Sequence, residues 1–536
     1  MAISSLRAFA LIALLSLCIS KAQAQLLPTP PAAGEMAFAA GNWESAQKSY
    51  SAAVKAAPEV LAPRLGLIRT LMRQDNWPEA LREAQAATLK FPACADAHGL
   101  LSLALIRAGW SGEYVKEAAQ SLTLDANNFW GLLATGRAAE WEGDYKAAHC
   151  CFWRASETHP EWPEGWGQLL VLEDDTLTPK EALQIAAIYL KLDPHGHPHR
   201  EIVENARDVT ENVAAYQTVF SENKNFERIL SPGAAGTNTP QPSTMAVDFL
   251  GDFAIFPVAI NGQPFRLLFD TGGGSDILLY WNSAKRLHLR TLAHTHIRGV
   301  GGGEKSDVLK AESMEIAGIP FRSIKIVTAE TMVEKTDGIL GGNILNDSVV
   351  TLDFEKKTAL LMNGANAQAP APLSGDKSIT LPFHYYHGCL YIQAAVNGQP
   401  LWALLDTGAF RSTLSLRLAR EQLKGMPKED IQTGTFTGKR GVGNSDASMQ
   451  YVVSRYESQI QLSQNPPVYI PIDTAGTSDL DRQISPSAQT DFEISLWMGM
   501  SSFTYARRIT FDYPRHQLIF EYKDPDLISP ARPAKK

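Results

Sequence analysis

The sequence predicts a multidomain protein: an N-terminal all-α solenoid of helical repeats, followed by an all-β half built from two matching lobes. Three observations carry this. Proline and small residues recur every 34 residues through the first part of the chain. From about residue 245, short β-branched and aromatic runs alternate with Asn-Gly and Gly-rich turns. In that second half the triplet Asp-Thr-Gly occurs twice, 136 residues apart, each time at the end of an apolar run. A chain of 536 residues is also too long for one core, so three or four units are expected.

The chain opens with a targeting pattern. Arg7 is followed by an apolar stretch over 8–19 and by Ala22-Gln23-Ala24, a small-residue cleavage site. The stretch is too short to span a bilayer, and no later run is longer. Residues 1–24 therefore read as a bacterial-type signal peptide, and a periplasmic or secreted protein without a transmembrane segment is expected. Leu17 precedes Cys18 where a lipoprotein signal would carry a small residue, so no lipid anchor is expected. Cleavage removes Arg7 and Lys21 and no acid, taking the net charge from −8 to −10. That charge argues against nucleic acid and anionic membrane as partners. Four cysteines remain: Cys94, Cys150, Cys151 and Cys389. Either Cys94 pairs with Cys150 or Cys151 in an oxidising compartment, or these are small buried residues of a helical array.

The helical half covers 31–228. Pro58, Pro92, Pro160 and Pro194 fall on one ladder, with Ala126 in the vacant place. Ala46, Ala80, Ala148 and Ala182 form a second, with Tyr114 in its third place. Gly41, Gly109 and Gly143 form a third, interrupted by Asp75. The glycine relaxes an inter-helix turn, the alanine lets two helices approach, and the proline ends the second helix. Gly34, Tyr50 and Ala53, with Gly136, Phe152 and Ala155, add further matching columns. The pattern resembles tetratricopeptide repeats, in five copies between about Pro31 and His195 with the third degenerate. Such an array is either a plain spacer or a concave groove for a peptide or protein partner, and partner binding is what the resemblance implies. His195, His197 and His199 then alternate in a segment that reads as a solvated loop rather than a metal site, since no nearby Cys or carboxylate completes a ligand set. A polar helix over 200–228 and a Ser/Pro/Gly-rich linker over 229–244 follow.

In the β half, Asn261-Gly262 and Asn397-Gly398 are hairpin signals ahead of the two triplets. Asp270-Thr271-Gly272 ends the first apolar run and Asp406-Thr407-Gly408 the second. Each lobe then carries a glycine-rich segment, Gly299-Val300-Gly301 or Gly441-Val442-Gly443. An apolar run ending in glycine follows, Gly338-Ile339-Leu340-Gly341 or Leu496-Trp497-Met498-Gly499. Each lobe closes on an Asp-bearing strand, Thr351-Leu352-Asp353-Phe354 or Thr510-Phe511-Asp512-Tyr513. Lobe 1 is expected over 245–364, an Ala/Pro-rich tether over 365–378, lobe 2 over 379–525 and a tail over 526–536.

This order resembles the retropepsin-like and pepsin-like aspartic proteases over roughly 245–524, as two retropepsin-like subunits fused into one bilobed double barrel. The resemblance implies an aspartic endopeptidase that hydrolyses peptide bonds with no metal or cofactor. Asp270 and Asp406 would be its catalytic pair. Thr271 and Thr407 would hydrogen-bond across the lobe interface and lock the loops. Gly272 and Gly408 would permit backbone conformations and close approach that present amides to the carboxylates. The two glycine-rich segments would be mobile flaps. Two departures stand out: neither flap segment carries a tyrosine, and no pepsin-style disulfide set is present. Flap closure and substrate preference therefore do not carry over.

The chemistry explains the need for two carboxyls. Amide hydrolysis without metal or covalent nucleophile requires a base for water and an acid for the leaving nitrogen, and carboxyls about 3 Å apart share one proton. Asp276, Asp337, Asp353 and Asp512 read as structural, and His384-Tyr385-Tyr386-His387 as a strand on the surface of lobe 2. The expected protein is an exported endopeptidase acting on polypeptide, its cleft formed within one chain, with the repeats recruiting substrate or partner. Two rivals remain: a non-catalytic peptide-binding scaffold on the same fold, and lobes that each pair with another chain.

Overall fold

The computed structural model describes residues 32–74, 76–107, 113–142, 144–172, 177–193, 243–274, 276–299, 302–363, 367–386, 388–437, 448–464, 467–477 and 494–522. Outside them lie the signal peptide expected over 1–24, the 195–199 histidines, the helix expected over 200–228, the expected linker as far as 242 and the tail over 526–536.

The described N-terminal residues form helices in five successive pairs. These are α1 (Ala32–Ala39) with α2 (Trp43–Ala56), α3 (Leu61–Arg73) with α4 (Trp77–Lys90), and α5 (Ala95–Arg107) with α6 (Glu113–Leu124). The last are α7 (Phe129–Trp141) with α8 (Tyr145–Thr158), and α9 (Pro163–Val171) with α10 (Pro179–Leu192). The small-residue ladder lies in their core: Ala46, Ala80, Tyr114, Ala148 and Ala182 are all buried. Gly41 takes a left-handed φ of 70° between α1 and α2, and the Asn42 side chain caps α2 by accepting from the Ser45 amide at 3.1 Å. Tyr50 is fully buried against Gly34, where a side chain would bring Cβ to 2.8 Å from the ring.

The chain divides into two compact units. One takes the chain up to Ala138 with Cys150–Gly165 and Leu192–Val203; the other takes Ala139–His149, Trp166–Lys191 and everything from Glu204. Inside the first unit, early and late repeats are cross-braced. The Arg69 guanidinium lies over the rings of Phe38 at 4.6 Å and Trp162 at 4.8 Å. Arg73 pairs with Glu164 at 2.8 Å and Asp193 at 3.0 Å.

The second unit holds the strands. Lobe 1 contains β1 (Ser243–Ala246), β2 (Asp248–Leu250), β3 (Phe253–Ile260), β4 (Gln263–Asp270), β5 (Ile277–Tyr280), β6 (Ala293–Gly299), β7 (Gly302–Ile316), β8 (Ile319–Ala329), β9 (Gly338–Gly341), β10 (Ser348–Asp353) and β11 (Thr358–Asn363). Lobe 2 contains β12 (Lys377–Pro382), β13 (His384–Tyr386), β14 (Cys389–Val396), β15 (Gln399–Leu405), β16 (Thr413–Ser415), β17 (Ile431–Thr437), β18 (Ser448–Gln464), β19 (Pro467–Thr477), β20 (Ile494–Met498), β21 (Arg508–Asp512) and β22 (Gln517–Tyr522). The lobes repeat one topology. Their sheets run β2-β3-β4-β9-β5-β8-β7-β6 and β13-β14-β15-β20-β16-β19-β18-β17. The Asn-Gly turns are as expected: Asn261 and Gly262 have φ 47° and 76°, Asn397 and Gly398 49° and 83°.

A third sheet, β1-β11-β10-β21-β22-β12, is shared by the lobes. Its seam is the antiparallel β10–β21 pair, where Thr351 faces Thr510 and the buried hydroxyls lie 2.9 Å apart. One hydrophobic core therefore runs through both lobes, with the Phe269 and Phe511 rings 5.9 Å apart. The buried polar groups of these strands are satisfied locally. Asp353 accepts the Lys356 amide at 2.9 Å, Asp512 pairs with Arg515 at 3.0 Å, and Arg508 pairs with Glu521 and donates to the Ala371 carbonyl at 2.7 Å. The last contact pins the tether to lobe 2.

The glycine-ended apolar run of lobe 1 is β9, parallel to β4 and antiparallel to β5. Gly338 has no room for a side chain: a Cβ there strikes the Leu278 carbonyl and lies 2.9 Å from Leu279 Cα. Backbone cannot step aside as a side-chain tip can. Gly338→Ala is expected to lower stability by about 1–3 kcal/mol, read as a fall in the urea midpoint of the β unit.

Candidate active site

Strand β4 ends at Asp270 and β15 ends one residue before Asp406. In each lobe the glycine-ended run lies alongside in parallel: Asp270 is level with Gly341, and Leu405 with Met498. The Asp406 amide donates to the Met498 carbonyl at 3.0 Å. Each carboxylate-bearing loop is thus fixed by a neighbouring strand.

The two loops are interlocked. The Thr271 amide donates to Thr407 Oγ1 at 3.0 Å and the Thr407 amide to Thr271 Oγ1 at 3.2 Å. Each hydroxyl then donates across the interface, Thr271 to the Leu405 carbonyl at 2.7 Å and Thr407 to the Phe269 carbonyl at 2.8 Å. Both threonines are buried, so these bonds meet no competition from water.

The loops bring Asp270 and Asp406 together, each carboxyl lying against the glycine that follows the other Asp-Thr pair. The Gly272 amide donates to Asp270 Oδ1 and the Gly408 amide to Asp406 Oδ1, each at 2.8 Å. The expectation for these glycines needs one correction. Neither is among the glycines of positive φ, so unusual backbone is not the reason for them. Close approach is: a Cβ at Gly272 would lie 2.6 Å from Asp406 Cγ, and one at Gly408 2.5 Å from Asp270 Cγ. Each glycine serves its own carboxylate with an amide and leaves space for the other lobe's carboxyl.

Burial pushes both carboxyls up, because the charged form loses water. Asp406 stands well above the usual carboxylate range, since the charge of Asp270 adds to the burial. For Asp270 the Gly272, Gly273 and Gly408 amides oppose the rise. The site can hold one proton between two carboxyls, and the titration belongs to the pair.

Of the expected flap residues, Gly299 pairs with Gly302 at the end of the β6–β7 hairpin, and Val300 and Gly301 lie outside the described residues. In lobe 2 the β17–β18 hairpin is paired as far as Thr437 and Ser448, and Gly441, Val442 and Gly443 lie outside the described residues. Asp337 accepts from the Arg266 amide, Ser283 and Arg286, and Asp276 from Asn343 at 2.6 Å, so both hold loops in place. His384 is less exposed than a surface strand implies: its ring stacks on Trp141 at 4.8 Å within the second unit, and burial pushes it down to about 4. Among the described residues no disulfide is formed. Cys389 escaped the sequence argument: it is buried, and its thiol donates to the Gly272 carbonyl at 3.2 Å, beneath the first loop. Nothing local in the sequence ties residue 389 to residue 272; only the parallel between β3 and β14 in the duplicated lobes could have suggested it.

Residues 256–344 match the family model for aspartyl proteases, and residues 37–104 that for tetratricopeptide repeats. Among solved structures, the chain is similar to a thermophilic tetratricopeptide-repeat protein of Thermus thermophilus, at 18% identity over 33% of this chain and 94% of that one, TM-score 0.28. It is also similar to a retropepsin-like aspartic protease from Rickettsia conorii, at 19% identity over 23% of this chain and 94% of that one, TM-score 0.19. No curated protein matches it. Residues 256–344 thus carry an aspartyl-protease-type domain and residues 37–104 tetratricopeptide repeats. The family match ends inside lobe 1; lobe 2 is tied to it by the repeated strand order.

Proposed function

We propose that the protein is an aspartic endopeptidase that cleaves polypeptide through one shared-proton pair, Asp270 and Asp406. The observation that supports it most is the convergence of the two carboxyls, each against the other loop's glycine, in loops interlocked by Thr271 and Thr407. In this mechanism the ionised carboxyl takes a proton from water as the water oxygen attacks the peptide carbonyl carbon. The protonated carboxyl gives its proton to the carbonyl oxygen. The tetrahedral intermediate collapses when the carboxyl that took the water proton gives it to the amide nitrogen. The other carboxyl takes a proton from a gem-diol hydroxyl as the carbonyl re-forms and the C–N bond breaks, and the pair is again singly protonated. The shared core and sheet support a cleft formed within one chain.

We also infer export, from the leader pattern over 1–24, and recruitment of substrate or a partner by the repeats, from the family to which 37–104 are similar. Among the described residues no helix is long and apolar enough to cross a membrane.

The test is cleavage of unfolded protein by the mature chain across pH 3–7, with and without a pepstatin-type transition-state mimic. The active form carries one proton, so activity rises as the pair loses its first proton and falls as it loses the second. Because burial raises both carboxyls, the alkaline limb is expected beyond ordinary carboxylate pKa values. Inhibition by the mimic is expected throughout. Retained mimic binding with no cleavage at any pH would replace this reading with the non-catalytic peptide-binding one.

A further inference from the structure

The two lobes are related by a repeat of 136 residues, and the relation breaks beside the carboxyl pair. Four residues after each Asp stand Gly274 in lobe 1 and Phe410 in lobe 2. In both cases a hairpin end of the opposite lobe reaches this position. On one side it is Gly388, between β13 and β14, where a Cβ would lie 2.8 Å from Gly274 Cα. On the other it is Gly251, between β2 and β3, where a Cβ would lie 3.8 Å from the Phe410 ring. Phe253, on the same hairpin, holds its ring 6.0 Å from that of Phe410. One side is backbone packed on backbone; the other presents a phenyl ring.

Phe410 is 47% exposed, although its backbone is fixed by the Ser501 amide donating to the Phe410 carbonyl at 3.0 Å. A held backbone with a half-exposed aromatic ring is costly to leave in water and useful to cover. Its distance from the chemistry is bounded. The Cβ position at Gly408 is 2.5 Å from Asp270 Cγ, and two further residues add at most ~7 Å, so the Phe410 Cα lies within about 11 Å of that carboxyl. Successive substrate residues lie about 3.8 Å apart, so this bound admits contact between Phe410 and a residue flanking the scissile bond.

We propose that Phe410 is a specificity-determining residue, selecting a large apolar side chain on one side of the scissile bond, with no equivalent preference on the Gly274–Gly388 side. The inference rests on the endopeptidase reading above. Its test is a set of peptides in which the residues flanking one bond are varied in turn, cleaved by the mature wild-type chain, Phe410→Ala and Phe410→Leu. The wild type is expected to favour Phe or Leu over Ala by about tenfold or more on one side only. In Phe410→Ala that ratio collapses toward one, through KM rather than kcat, and Phe410→Leu restores most of it. Equal preference on both sides, or a Phe410→Ala profile like that of the wild type, overturns the proposal and leaves the endopeptidase reading standing. A wild type that cleaves nothing takes both down together.

Discussion

Asp270→Asn and Asp406→Asn are each expected to lower kcat/KM on unfolded protein by about 10³-fold or more, and the double variant to be no worse than either single one. The reason is that acid and base are one unit. With either carboxyl replaced, the pair can no longer alternate between taking and giving a proton. Asn is nearly isosteric and keeps an oxygen for the Gly272 or Gly408 amide, so the loop geometry should persist. Stability gives an independent control. Both carboxyls are raised in the folded state, so between the unfolded and folded pKa values the native chain holds protons that the unfolded chain has released. Their contribution to stability is therefore full below the unfolded pKa and is lost as pH rises through the folded one. Asp406→Asn removes that loss, and its thermal midpoint at pH 7 should equal or exceed the wild-type value. Full activity in either single variant would sink the shared-pair mechanism.

Thr271→Val is expected to destabilise the β unit by roughly 3 kcal/mol or more, one of the largest effects available to a single methyl-for-hydroxyl exchange. The hydroxyl serves two buried groups in the other lobe, accepting from the Thr407 amide and donating to the Leu405 carbonyl. Valine fills the same space and leaves both unsatisfied. Thr407→Val should behave alike through the Thr271 amide and the Phe269 carbonyl. Thr271→Ser keeps the hydroxyl and should stay close to wild type in both urea midpoint and activity. A valine variant as stable as the serine one would show that the interlock contributes little.

How much of this could be read from the chain depended on range. The Asn-Gly turns at 261–262 and 397–398 were legible because left-handed φ values demand those residues within a few positions. The repeats were legible because Ala46, Ala80, Ala148 and Ala182 answer one packing demand at one period. Asp270 and Asp406 could be paired on paper because the duplication marks both. The shared sheet was not legible. Its seam joins Thr351 to Thr510, 159 residues apart, and β10 and β21 are buried at every position. Such strands carry no alternation to tell which neighbour they pair with. The need for Gly272 was only partly legible: close approach and amide donation were expected, but the group that excludes a side chain there, Asp406, belongs to the other lobe.

The β10–β21 seam has a consequence for dilution. Two separate subunits must find each other, and their cleft empties out as concentration falls below the dissociation constant. Here both halves of the seam lie on one chain, joined by the segment between Asn363 and Lys377, so their encounter is governed by the length of that segment. The fraction of molecules with an assembled cleft is then the same at any abundance, and specific activity should stay flat on serial dilution.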